Sequence, residues 1–355
     1  MGRRINLLMA EPGKILDIVP KYALPGGEIE ILCEDFRPDR GGSFGCKVNS
    51  LTCRITASSS SRVITNVPAE LRDQIAAKVQ LFVGEGIEEI FGGSHRVQVG
   101  GIVAEDMHIV ANPAIDPTDD SLVVTRSGSR GQRLENTIYR VETSGFIDEL
   151  PDPVLNPTGI AFGSDGQMYV TNRADGEVWA VNVNGNNSIH ATGLGIATGL
   201  AFGPDGAMYV GDRSGTIFRI DDFSTPQIFA SVEPSVAAYH IAFGTDGRLY
   251  VSAPGLASSD AIYAIEPNGT VRTFYRGLGR PQGMAFDVDG NLYVAACKQG
   301  RHGVVRISPD GGSAELFVSG NSVVGLCFNR QGDMLVATND RVYSLPVGIR
   351  GTLLR

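Results

Sequence analysis

One segment of this chain is written six times. Residues 198–210 read TGLAFGPDGAMYV, 156–170 read NPTGIAFGSDGQMYV, 239–251 read YHIAFGTDGRLYV and 282–294 read QGMAFDVDGNLYV. Two more divergent copies are 324–336 (VGLCFNRQGDMLV) and 112–124 (NPAIDPTDDSLVV). From Phe162, Phe202, Phe243, Phe286 and Phe328 the next strand begins six residues on, at Met168, Met208, Leu249, Leu292 and Met334, and Asp116 and Leu122 keep that interval. Repetition at roughly forty residues means a supersecondary unit that cannot bury its own faces and stacks on its neighbours.

Each copy has the same physical content. A short apolar run such as Gly159-Ile160-Ala161-Phe162 ends in Asp-Gly, a pair that predicts a tight type I′ hairpin because both central residues there need φ > 0. A second apolar run follows, then a polar loop, then a third run such as 178–181 or 217–220. Weaker fourth strands are expected at 188–191, 227–230, 271–274 and 314–317. The inner runs are apolar on both faces, so both faces must be covered. Four-stranded sheets stacked around a channel meet that demand, and the prediction is an all-β, six-bladed β-propeller over residues 104–355. Either 106–110 or 349–354 supplies the outer strand of the sixth blade, which closes the ring.

Composition narrows the function. A net charge of −9 argues against non-specific nucleic-acid binding and against an anionic membrane surface, both of which need a basic face. No run approaches the ~18 apolar residues of a transmembrane helix. The apolar stretch behind Arg3 and Arg4 is shorter than the ~7–15 residue core of a secretory signal, so the expectation for the chain as it stands is cytoplasmic. Five cysteines do not suggest a disulfide scaffold, although Cys46 and Cys53 could meet across a hairpin.

Residues 1–11 read as a tail and 12–103 as a different object from the propeller. About seven short alternating strands, separated by turn signals, predict an immunoglobulin-like sandwich. The order strand-Pro20, Gly26-Gly27, alternating strand, Asp35-Phe36, Val67-Pro68 and a final hairpin resembles the IPT/TIG family. That resemblance implies a spacer or an interaction module, through which the chain would meet a protein partner or a second copy of itself.

The propeller repeats resemble the NHL and regucalcin/gluconolactonase-like propellers, most clearly in residues 278–294 (LGRPQGMAFDVDGNLYV). The resemblance implies a ligand face built from the loops between blades and those between second and third strands, with the Asp-Gly turns at the other end. It also implies a Ca²⁺ or Mg²⁺ site of Glu, Asn and Asp just before the glycine that opens each inner strand. The matching positions here are Asn112, Thr158, Thr198, Tyr239, Gln282 and Val324, so only Asn112 is a ligand of that kind and no carboxylate is present. Any cation would otherwise be gathered from residues such as Asp212 or Asp260, or lie near Asn112 and Asn156.

At the expected mouth stand arginines instead: Arg126, Arg130, Arg133, Arg173, Arg213, Arg280 and Arg301. A guanidinium fork fits a carboxylate or phosphate bidentately, so several of them form an anion site. Pairing with neighbours (Arg173 with Asp175, Arg213 with Asp212) is the structural alternative. His240 takes the place of a repeat glycine, beside Tyr239. Two functions remain open. In a gluconolactonase-like hydrolase, His240 is the general base towards water and Tyr239 a hydrogen-bond donor. Arg126, Arg173, Arg213, Arg280, Arg301, Asp212, Gln282 and Asn156 then hold a sugar-acid lactone or ester. In a non-catalytic binding or scaffold protein, the propeller is a rigid platform for a small polar or anionic molecule.

Overall fold

Each copy of the repeat forms the first two strands of a four-stranded antiparallel sheet, because its two apolar runs are joined by a turn too short for anything else. The computed structural model describes residues 12–37, 44–84, 89–128, 132, 134–135, 137–221, 225–256 and 259–352. They fall into two units, Met1–Gly101 with Phe317–Asn321, and Ile102–Leu316 with Ser322–Arg355. Among the described residues every named element is a strand, and no helix is long and apolar enough to cross a membrane.

In the larger unit, blade one consists of Ala114–Ile115, Leu122–Thr125, Ile138–Val141 and Ile147–Glu149. Blade two is Pro157–Phe162, Met168–Asn172, Glu177–Val181 and Ser188–Ala191; blade three is Ala197–Phe202, Met208–Asp212, Thr216–Ile220 and Pro226–Ser231. Blade four is His240–Phe243, Leu249–Ser252, Asp260–Ile265 and Val271–Leu278. Blade five is Met284–Phe286, Leu292–Lys298, Arg301–Ile307 and Ala314–Ser319. Blade six is Val323–Phe328, Asp333–Thr338 and Arg341–Pro346, and its outer strand is Gly101–Glu105, from before blade one. Neighbouring blades touch in chain order, and the inner strands of blades six and one meet.

The closing strand lies just upstream of the 106–110 expected from the sequence. Asp106 and His108 have φ of 65° and 48°, which ends the strand before them. Their segment instead runs on into blade one, with Met107 and Ile109 N–H donating to Asp340 and Asn339 carbonyls. At the other end, Gly351 bridges Asp287 rather than forming an outer strand.

The hairpin turns also differ from the expectation. In blade two Gly166 N–H closes onto Gly163 O at 2.9 Å, Gly166 has φ of 83°, and Gln167 N–H donates to Asp165 Oδ1 at 3.0 Å. Asp165, Asp205 and Asp246 are not left-handed; only the glycine is. This is the three-residue loop with a left-handed glycine, not the two-residue type I′ turn. The aspartates are still turn formers, each capping the N–H two residues on. In blade five Asp287 takes over that role from Asp289.

The core lies between blades, in separate apolar clusters at successive blade interfaces. Close approach of the inner strands explains the repeat glycine: a Cβ on Gly159 would stand 2.5 Å from Thr198 O of the next blade. Hydroxyls stitch neighbours together, Thr125 to Thr158 O at 3.2 Å, Thr171 to Thr198 O at 3.0 Å and Ser252 to Gln282 O at 2.8 Å.

The smaller unit has two sheets. One orders Lys14–Val19, Glu28–Glu34, Arg62–Asn66 and Ile55–Ser58; the other contains Tyr22–Ala23, Ile90–Val99, Ile75–Val83, Phe44–Val48 and Leu51–Cys53. Alternate residues, including Ile29, Ile31, Val79, Leu81 and Val97, fill one shared core. Cys46 and Cys53 are cross-strand partners and free thiols.

Candidate functional site

The loops between second and third strands of blades two and three are braced from within. Asn172 Oδ1 accepts from Ala174 N–H at 3.0 Å and Asp175 N–H at 3.2 Å, while its amide donates to Asp175 Oδ2 at 2.9 Å. The equivalent Asp212 accepts from Ser214 N–H at 3.2 Å, from the Ser214 hydroxyl, and from Ile196 N–H at 2.8 Å. These buried side chains consume their own polarity in the turn, and each is followed by an arginine.

Arg173 and Arg213 therefore occupy equivalent places on adjacent blades, and they feel each other. Burial, and after it the charge of Arg213, pushes the Arg173 guanidinium below its ordinary range. Among the described residues no ion pair joins either to a carboxylate. Asp175 and Asp212 are taken up by the bracing contacts, so the local pairings the sequence allowed are not formed. Arg213 Nη2 donates to Val236 O at 3.0 Å, and its Nε is buried without a partner. Two like charges on adjacent blades are thus left partly out of water, neither in an ion pair among the described residues.

Close by in the chain, the Asn156 carbonyl accepts from Arg173 N–H at 3.4 Å. The Asn156 Oδ1 and Thr158 Oγ1 atoms are both buried without a hydrogen-bond partner.

The other residues singled out by sequence are placed differently. Tyr239 is fully buried: its ring belongs to the core between blades three and four, and its hydroxyl donates to Glu233 O. Burial first, then the charges of Asp212, Tyr263 and Glu233, raises its phenol. His240, next along the strand, is turned the other way. Burial alone pushes its imidazole down to about 4, with no carboxylate or guanidinium contributing. Arg126 donates to the Tyr139 hydroxyl at 3.2 Å within blade one. Arg280 is exposed, with φ of 46°, and its N–H donates to Asp260 Oδ2 at 3.2 Å. Gln282 works through its backbone, pairing with Ala295 and accepting from Ser252. Arg301 opens the third strand of blade five opposite Lys298. Arg130 and Arg133 lie outside the described residues.

The donors present do not fit a resident Ca²⁺ or Mg²⁺. Asn112, the one matching ligand, donates to Met284 O at 2.8 Å and accepts from Leu326 N–H at 3.0 Å. Its amide thus ties the segment entering blade one to the inner strands of blades five and six. Hard divalent cations need several oxygen ligands, usually with carboxylates. Among the described residues no group of three or more His, Cys, Asp or Glu could hold a metal.

Two clefts, of about 270 and 240 Å³, lie at the Asp-Gly end of the ring, between blades six and one and between blades one and two. Neither includes any of the arginines singled out at the mouth. Sequence reasoning passed over Ile196 and Val236, the linker residues that hold Arg213. Their signal was an apolar residue in the linker within four positions of an inner strand.

No family model matches the chain, and no curated protein matches it. Solved structures do. A putative gluconolactonase is 16% identical, with a TM-score of 0.60, over 71% of this chain and 93% of its own. A gluconolactonase from Xanthomonas campestris is 15% identical, with a TM-score of 0.57, over 87% of this chain and 98% of its own. An auxiliary nutrient binding protein from Bacteroides thetaiotaomicron is 13% identical, with a TM-score of 0.55, over 94% of this chain and 97% of its own. A catalytically inactive virginiamycin B lyase from Staphylococcus aureus also matches, at 18% identity and a TM-score of 0.51, over 85% of this chain and 99% of its own. At these identities the likeness is one of fold alone, that of a six-bladed β-propeller. The N-terminal sheets are matched together with the propeller, and nothing identifies a TIG domain.

Proposed function

We propose that this chain is a ligand-binding propeller without hydrolytic activity, and that Arg173 and Arg213 receive the anionic group of a small organic molecule. The observation that carries the reading is the pair itself: two half-buried guanidiniums on adjacent blades, neither in an ion pair with a carboxylate among the described residues. A bound carboxylate would relieve their repulsion and accept from both forks. A hydrolase would need an activated water and a group to stabilise the oxyanion. His240, at about 4, is a weak base with no partner carboxylate to orient it, and the Tyr239 hydroxyl is spent on Glu233 O. The similarity to a nutrient binding protein over 94% of the chain agrees with a binding role.

The test combines turnover with binding. Purified protein is assayed on a panel of lactones and esters and titrated with small carboxylates by calorimetry. The expected result is no turnover, with saturable carboxylate binding that is lost in Arg173→Gln and in Arg213→Gln. Turnover that disappears in His240→Ala would establish the hydrolase instead.

A further inference from the structure

Arg213 is held by the backbone of two apolar linker residues. Its backbone N–H donates to Ile196 O at 3.3 Å and its guanidinium to Val236 O at 3.0 Å, so both residues are fixed beside it. Ile196 is 43% exposed and Val236 50%. Val236 N–H in turn donates to Pro254 O at 3.1 Å, and Leu256, two residues further on, is 94% exposed. A single exposed apolar residue is ordinary, but two held beside one partly buried guanidinium form a patch with a defined polar anchor. Such a surface offers a ligand dispersion and desolvation on one side and a cation on the other.

Resting on the anion-site reading above, we infer that the ligand is an amphiphilic monocarboxylate. Its carboxylate is held by Arg173 and Arg213, and its acyl or aryl body lies over Ile196 and Val236. A single anionic group suits the site, because Arg213 already spends one N–H on Val236 O. A polyhydroxylated sugar acid suits it less, because the flanks present methyl and methylene groups where hydroxyls need hydrogen-bonding partners. The apolar body must be short, since the patch consists of a few linker residues rather than a closed pocket.

The experiment is calorimetric titration of the whole protein with acetate, hexanoate, gluconate and hexyl phosphate. It is repeated on Val236→Ser, Ile196→Ser and Arg173→Gln, with each variant first shown to melt cooperatively. Partial burial of four methylenes predicts hexanoate about tenfold tighter than acetate. Val236→Ser and Ile196→Ser each reduce that preference and leave acetate unchanged, whereas Arg173→Gln removes both ligands. If hexanoate binds no tighter than acetate, or gluconate binds tighter than either, the inference fails while Arg173-dependent binding keeps the anion site. Hexyl phosphate binding tighter than hexanoate overturns the carboxylate assignment. No Arg173-dependent binding of any probe overturns both readings.

Discussion

The Tyr250 ring meets the Phe286 ring of the next blade nearly edge-on, with centroids 4.8 Å apart and planes at 61°. Tyr169 with Phe202, Tyr209 with Phe243 and Tyr293 with Phe328 repeat the contact at 5.4, 5.0 and 5.3 Å. In blades two to five the tyrosine of the second strand is thus the wedge against the following inner strand, and the repeated Phe is its receptor.

That relationship predicts a measurable coupling. Phe286→Ala should cost about 3–5 kcal/mol by urea denaturation. Tyr250→Phe keeps the ring but loses the hydroxyl bond to Asp246 Oδ2 at 2.8 Å, and should cost only about 1 kcal/mol. A cycle of Tyr250→Leu and Phe286→Leu should give a coupling of about 0.5–1.5 kcal/mol. Strict additivity would show that the rings share space without interacting.

Asn112 predicts a ring-closure defect rather than a metal defect. Asn112→Ala leaves Met284 O and Leu326 N–H unpaired and opens space beside Gly283 and Gly325. It should cost on the order of 2–4 kcal/mol of stability, read as a lowered urea midpoint, and added Ca²⁺ or Mg²⁺ should not shift the wild-type melting temperature. A large Ca²⁺-dependent stabilisation lost in Asn112→Ala would contradict this assignment.

His240 sets a pH dependence of known sign. Its imidazole titrates at about 4 when folded and near 6.5 in the unfolded chain. Between those values the unfolded state binds a proton the folded state refuses, so stability rises with pH across the window and is lost as pH falls from about 6.5 to about 4. The loss is on the order of 3 kcal/mol. Below the folded value both states are protonated and the loss levels off. Urea denaturation of wild type and His240→Gln across this window isolates the term, with the variant expected to show the flatter profile.

The blades were legible in the sequence because their information is local: apolar runs and a fixed interval in all six copies, and an Asp-Gly turn in four of them. The mouth was less so, because its side chains answer to partners in the next blade. Tyr239 follows a linker and stands where Thr158 and Thr198 stand in blades two and three, so it read as a polar residue at the opening. Its ring is accommodated because blade three has Gly211 where blades two and four have Thr171 and Ser252, and a Cβ on Gly211 would lie 3.1 Å from Tyr239 Cβ. That exchange is visible only when neighbouring copies are compared as packed surfaces. The arginines were found by type, but which of them keep company depended on how Asn172 and Asp212 brace their turns. The strand that closes the ring turned on the left-handed residues Asp106 and His108, which no periodicity reveals.

The claim that Arg173 and Arg213 are held ready for an anion is tested most directly by the melting temperature of Arg173→Gln against wild type, with and without hexanoate. Without ligand, removing one of two mutually repelling, partly desolvated charges should raise the midpoint by about 1–2 °C. With hexanoate the order should reverse, because only the wild type gains from binding. A variant that melts lower than wild type in ligand-free buffer, with hexanoate changing neither, would mean that Arg173 is a structural residue and that the site does not exist.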